Sequence, residues 1–313
     1  MRIAIFGTGG AGGYFRAHLA RSGEEVIFIA RGAHLNAIRS QGLRVETAKG
    51  ELLIHPATAT DNPKEIGPVD VVILGTKAWQ VQESAKEMQP LMGSETFVVP
   101  LQNGVEAAAQ LASELNPDHV VGGLCATISM IAGPGHIRSL GEAHYIKFAE
   151  LNGKPSKRTE QLRMAFEKAG VKAEIPANID VALWEKFLFV VSFGGVGSVA
   201  RAPIGVLRSL PETRAMLEIC MNEIFNVAKT RKIAFPEGIV VKTMKFLDTL
   251  PATGTTSLQR DLIAGKPSEL EAWNGAVVRL GKESGVATPV HQFIYQSQLP
   301  SEMRARGKVQ FPT

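Results

Sequence analysis

Up to about Pro176 the chain alternates short apolar runs, rich in β-branched residues, with segments of helical spacing. Ile3 to Phe6, Glu25 to Ala30, Val69 to Leu74, Thr96 to Leu101 and Val120 to Ala126 read as strands, with helices over Gly13 to Arg21, Trp79 to Leu91 and Val105 to Leu115 between them. Strands separated by helices predict a mostly parallel, doubly wound sheet, because each return to a parallel neighbour needs a crossover. His136 to Leu140 and His144 to Phe148, joined by Gly141-Glu142, read as two extra strands forming an antiparallel edge. After Asn178 strand signals nearly vanish, and long helical periodicities run over Val181 to Val199, Thr213 to Thr230, Glu237 to Leu250 and Ser268 to Ser284. The boundary is expected near residues 172 to 180, giving an α/β domain over 1–176 and an all-α domain over 177–313.

The length of 313 residues agrees with two domains, each able to bury its own core. With 45% hydrophobic and 20% charged residues the chain is an ordinary globular protein, not a disordered one. The 34 basic residues are scattered among 30 acidic ones, so no basic stripe marks a nucleic-acid partner. The basic tail from Met303 to Thr313 reads as a solvated end. Cys125 and Cys220 stand far apart without zinc-ligand spacing, so neither a disulfide framework nor a metal site is expected. Phe187 to Ala200 is apolar but shorter than the ~20 residues of a bilayer span and holds Gly194, Gly195 and Gly197, so it reads as a buried helix. Glycines interrupt the first strand too soon for a signal peptide, which leaves a cytoplasmic location and no membrane partner as the expectation.

The interrupting residues carry the first chemistry. Gly7-Thr8-Gly9-Gly10-Ala11-Gly12 fits GxGxxG directly between a strand and a helix, the context that lets bare backbone and a helix N-terminus receive a pyrophosphate. The α/β domain is therefore expected to be Rossmann-type. Strand two ends on Ala30-Arg31, where NAD-binding proteins place the carboxylate that takes the ribose hydroxyls. An acid there would repel a 2′-phosphate, whereas a guanidinium binds one, so the expected cofactor is NADP(H). Lys77 and Asn103 each follow an apolar strand, at the carboxyl edge where open α/β sheets bind ligands. Lys186 stands beside Trp184 in an otherwise apolar helix, as either an interface lysine or a proton donor.

Taken together, the glycine loop with Arg31, Lys77-Ala78-Trp79-Gln80, Gln102-Asn103-Gly104, Leu183-Trp184-Glu185-Lys186, Ser257-Leu258-Gln259-Arg260-Asp261, Glu269 and Asn274-Gly275 resemble ketopantoate reductase (2-dehydropantoate 2-reductase) over nearly the whole chain. The resemblance implies NADPH-dependent reduction of a 2-oxo acid, as in pantothenate biosynthesis, with Lys186 as proton donor. It further implies that Lys77 and Asn103 contact the cofactor, that Asn103 also meets the substrate, and that Ser257 binds the substrate carboxylate. Glu269 is implied to lie near the lysine and the cofactor, and a homodimer is plausible by the same resemblance.

One stretch departs from that pattern. Where the family presents substrate-binding asparagines after the lysine, this chain has Val190, Gly194 and, in a less secure alignment, Ile204. Lys186 then shares its helical face with Phe189, Val190, Phe193 and Gly194, an apolar wall that gains little from a hydroxylated substrate. The expectation is a 2-oxo acid more apolar than ketopantoate, with Arg201 as an alternative carboxylate partner. Two other readings compete. A 3-hydroxyacid or 6-phosphogluconate type dehydrogenase shares the domain plan but carries a serine-glycine-glycine strand motif where this chain has Gln102-Asn103-Gly104. A non-catalytic NADPH sensor would explain the missing asparagines but not Lys186, Ser257 and Glu269 together.

Overall fold

The structure, a computed structural model, describes residues 1–312 other than Ala11, Gly12, Arg16, Glu142 and Ala143. The chain folds as two compact units, one of residues 1–102 and 106–180, the other of Asn103–Val105 and Val181 onward. In the first unit, chain order runs β1 (Arg2–Phe6), α1 (Gly10–Arg21), β2 (Glu25–Ile29), α2 (Gly32–Gln41), β3 (Leu43–Thr47), β4 (Gly50–Ile54), β5 (Thr58–Thr60), β6 (Val71–Leu74), α3 (Val81–Glu87), β7 (Phe97–Pro100), α4 (Ala107–Ala112), β8 (Val121–Gly133), β9 (His136–Glu150), α5 (Lys157–Lys168) and β10 (Lys172–Glu174).

β1, β2, β5, β6 and β7 form the expected Rossmann-type sheet, wholly parallel, in the order β5-β2-β1-β6-β7. Its central strands are buried on both faces, which is why they read as continuous apolar runs rather than alternating ones. The order turns back at β1, so the loop after β1 lies at the topological switch point.

Three expectations for this unit need correction. His136–Glu150 is one continuous strand, without a turn at Gly141 (Glu142 itself lies outside the described residues). The hairpin closes earlier at Pro134-Gly135, where Gly135 has φ +68°, and β8 runs on to meet it. Val120 to Ala126 does not extend the parallel sheet either: β8 pairs antiparallel with β9 in a second sheet ordered β10-β9-β3-β4, and among the described residues only a Val98–Val120 bridge pairs this stretch with β7. The helix expected over Trp79 to Leu91 breaks into the short α3 between two 3₁₀ turns, the second containing Pro90, which cannot continue an α-helix.

The second unit is all-helical: α6 (Ile179–Ala200), α7 (Ile204–Ser209), α8 (Pro211–Thr230), α9 (Ile239–Thr249), α10 (Ser257–Ile263), a π turn (Glu271–Gly275), α11 (Ala276–Ser284) and α12 (Pro289–Ala305). α6 is buried all round from Val191 to Ser198, and Trp184, Phe187, Leu188, Phe193 and Trp273 join its core. The tail is not simply solvated: α12 reaches Ala305, and Arg306 binds the buried Glu302 at 2.5 Å and the Ser268 carbonyl at 2.9 Å. Among the described residues no helix is long and apolar enough to cross a membrane, and no three His, Cys, Asp or Glu side chains gather as a metal site.

His291 locks α12 to α8 and to the π turn. Its Nε2–H donates to the Cys220 carbonyl at 3.1 Å, which leaves Nδ1 to accept from Asn274 Nδ2 at 3.0 Å. Burial pushes its pKa down to about 4, so the folded state holds it neutral. An unfolded histidine titrates near 6.5; below that pH the unfolded chain binds a proton that the folded one refuses. His291 therefore removes stability from the helical unit as the pH drops from about 6.5 to 4, by about 3 kcal/mol, opposed in part by Glu223, whose burial raises its pKa. Urea unfolding followed by tryptophan fluorescence across this range checks it, with His291→Gln expected to flatten the slope.

Candidate active site

β1 ends at Phe6, and the chain turns on Gly7 with φ +88°. A Cβ there would stand 2.6 Å from Thr76 Cγ2 and 2.8 Å from the Thr76 nitrogen, so both conformation and space demand glycine. Gly9 is different. It caps α1, and a Cβ on it would meet nothing closer than the Gly75 carbonyl at 3.7 Å. Protein packing does not require this glycine, and its bare backbone leaves room for a group outside the chain to approach. Gly10 and Gly13 serve packing, since added Cβ atoms would collide with the Ser129 carbonyl at 2.2 Å and with Ile137 at 2.6 Å. Thr8 is buried, and its hydroxyl donates to the Ile29 carbonyl at 3.0 Å, tying the loop to β2. Ala11 and Gly12 lie outside the described residues. The first turn of α1 holds no acid, which leaves its N-terminus receptive to phosphate.

Around this loop the carboxyl edge of the sheet supplies further groups. Arg31 caps α2 just past β2, with a side chain 62% exposed and one guanidinium nitrogen, Nη2, at 2.5 and 2.6 Å from the two carboxylate oxygens of Glu87. Lys77, half-buried, follows β6; its backbone N–H donates to Gln80 Oε1 at 3.2 Å, and its Nζ lies 5.7 Å from the Trp79 ring centre. Gln102, after β7, donates to the carbonyls of Leu74 and Thr76 at 3.3 and 3.0 Å, while its Oε1 is buried without a partner. An unsatisfied buried acceptor is costly unless a ligand donor completes it. Bare glycine backbone, a helix N-terminus without acid and this acceptor fit a dinucleotide, whose phosphates need N–H donors and whose carboxamide brings N–H groups of its own.

In the helical unit the remaining residues lie on α6, on the N-terminus of α10 and just before the π turn. Gly194 lies two turns beyond the half-buried Lys186 on one face of α6. A Cβ on Gly194 would stand 2.6 Å from Trp273 Cζ3 and 3.1 Å from Thr256 Oγ1, so this face of α6 presses on both the π turn and the N-terminus of α10. Thr256 is the N-cap of α10, accepting from the Gln259 N–H, and Ser257 is the next residue. Asn103 joins from the other side of the sequence: Gly104, with φ +122°, would place a Cβ 3.4 Å from the Ala272 carbonyl, and Val105 packs on the helical core.

Glu269 precedes the π turn, 8% exposed, its carbonyl accepting from the Trp273 N–H at 3.0 Å. It is held by its neighbour: Ser268 donates through both its N–H and its Oγ to Glu302, the hydroxyl at 2.5 Å. The nearby Glu271 is a different kind of acid, 61% exposed and bonded to the Tyr295 hydroxyl at 2.6 Å. Burial and that carboxylate push the Tyr295 pKa up to about 12.

The positions that depart from the resemblance separate here. Val190 stays half-buried on the Lys186 face and Gly194 is covered by Trp273, whereas Ile204 opens α7, fully buried in the helical core, its N–H donating to the Gly254 carbonyl at 3.0 Å. Arg201 is exposed and adopts φ 51° just after α6, a helix-ending conformation. Sequence reasoning missed Gln102 Oε1, Glu87, Trp273 and the Ser268–Glu302 clamp. Gln102 carried a signal as the first residue of Gln102-Asn103-Gly104, and Trp273 only as the neighbour of Asn274-Gly275.

The models described as "Ketopantoate reductase PanE/ApbA" and "Ketopantoate reductase PanE/ApbA C terminal" match residues 3–153 and 178–298. The 2-dehydropantoate 2-reductase of Mesorhizobium japonicum is 29% identical over 310 residues, 92% of this chain and 94% of its own. The uncharacterized oxidoreductase YkpB of Bacillus subtilis is 26% identical over 297 residues, covering 94% and 97%. Among solved structures, a PanE/ApbA family ketopantoate reductase from Ralstonia eutropha superposes with TM-score 0.89 at 30% identity, covering 98% of this chain and 100% of that one.

The contact between Gly194 and Trp273 gives a direct test. Replacing Gly194 by Ala gains about 1 kcal/mol of helix propensity but forces a methyl into the indole ring, an overpacking that costs about 1–3 kcal/mol. Gly194→Ala is expected to lower the melting temperature and shift the tryptophan emission; a raised melting temperature would contradict the contact.

Proposed function

Because the chain belongs to the ketopantoate reductase family, oxidoreductases acting on CH–OH groups, we propose that it reduces a 2-oxo acid to the 2-hydroxy acid with NADPH. What supports this reading is that Gly194, two turns along α6 from Lys186, packs on Trp273 of the π turn and on Thr256, the residue before Ser257, while Glu269 precedes that turn and accepts from the Trp273 N–H. The dinucleotide fits the loop from Gly7 to Gly10 together with Arg31, Lys77 and Gln102, and when bound it supplies the hydride to the substrate's C2.

Hydride addition leaves negative charge on the former carbonyl oxygen. Lys186 gives that oxygen a proton from its ammonium, which also stabilises the charge as it develops. Glu269, buried and fixed in place by the Ser268–Glu302 clamp, orients the ammonium. Ser257 binds the substrate carboxylate, and Asn103 its carbonyl end. The side chain of the substrate then meets Val190, with Trp273 filling the space beside Gly194. A wall with few polar partners gives little discrimination in favour of a hydroxyl, so the preferred substrate is more apolar than ketopantoate. Reduction of ketopantoate itself would place the protein in pantothenate biosynthesis.

Lys186→Ala is expected to lower kcat by at least about 10²-fold while leaving NADPH binding within twofold, read by turnover and by nucleotide-fluorescence titration. NADPH consumption with ketopantoate beside branched and aromatic 2-oxo acids checks the substrate: the apolar acids are expected to show the higher kcat/KM, and a clear preference for ketopantoate would sink that part.

A further inference from the structure

The Arg31–Glu87 pair joins two charges that each sit at the wrong end of a helix. Arg31 is the N-cap of α2, where the helix favours an anion, and no acid in the first turn balances it. Glu87 is the last residue of α3, where the exposed carbonyls favour a cation. Its neighbour Lys86 reaches Glu114 instead, at 3.7 Å. Neither local sequence explains its own charge; each is explained by the other, through the contacts of Nη2 with both carboxylate oxygens at 2.5 and 2.6 Å.

The N-terminus of α2 with its guanidinium is also where a 2′-phosphate would be received. Phosphate and carboxylate ask for the same donors and carry the same sign, so they cannot both lie against one arginine without repulsion. We infer that Glu87 is a specificity-determining residue that competes with the 2′-phosphate of NADP(H) for Arg31. This rests on the NADPH reading above. Because the pair is exposed, it holds weakly and a phosphate displaces it; the competition lowers NADPH affinity without abolishing it. NADH has no 2′-phosphate and does not feel the competition.

Dissociation constants for NADPH and NADH in the full-length protein, its Glu87→Gln and Glu87→Lys variants and its Arg31→Ala variant test this. Glu87→Gln is expected to tighten NADPH about three- to tenfold, more at low than at high salt, with NADH within twofold, and Glu87→Lys to extend the gain. If NADPH is unchanged or weakened in Glu87→Gln while Arg31→Ala weakens NADPH alone, Glu87 is no competitor and the NADPH reading stands. If Arg31→Ala weakens both dinucleotides equally, the NADPH reading itself falls and the role of Glu87 falls with it. Both side chains are at the surface, so the variants are expected to fold, which unchanged melting temperatures would verify.

Discussion

The close approach of α6 to the π turn is the constraint on which the helical unit depends. Gly194, Gly195 and Gly197 offer no Cβ to Trp273, Asn274 and Gln259, and every ordinary side chain at those positions would overlap its neighbour, at 2.6, 2.5 and 2.9 Å respectively. Glycine in the middle of a helix costs up to about 1 kcal/mol each, a loss that the buried indole and the Asn274–His291 bond offset. Because the backbones meet so closely, the Gly194 face of α6 is held against Trp273 of the π turn and Thr256 of the α10 N-terminus, and Gly104 against the Ala272 carbonyl.

The parallel-sheet unit achieves its site by a different physics. There the sheet edge is fixed by strand order, and what remains open is electrostatic: a helix N-terminus without acid, an acceptor on Gln102 without a donor, and a guanidinium already facing a carboxylate. Its glycines divide by task. Gly7 answers to its own backbone and to Thr76, Gly10 and Gly13 to the β8–β9 hairpin, while a Cβ on Gly9 would meet only the Gly75 carbonyl, at 3.7 Å.

Stability and chemistry also draw on different acids in the helical unit. Glu302 clamps Ser268, and Glu223 accepts the first N–H groups of α12 at 2.8 and 3.0 Å, two buried carboxylates used as structural anchors. Glu271 is turned to Tyr295. Glu269, 8% exposed, precedes the π turn and accepts from the Trp273 N–H through its carbonyl.

The sequence by itself determined the parallel sheet, the glycine loop, the helical second half and the family, because these rest on local periodicity and on spacings between neighbours in the chain. It did not determine the second sheet, since β3 and β4 are short, partly exposed strands, and β9, the partner of β3, lies about ninety residues away. The resemblance set Val190, Gly194 and, less securely, Ile204 against side-chain amides, and the packing of α7 shows Ile204 fully buried in the core. Arg31 was legible as a guanidinium at a strand end, but its engagement with Glu87, fifty-six residues on, belongs to the tertiary structure. Charge pairs and glycine contacts of this kind join residues that no local pattern relates, and only the folded backbone decides which of them meet.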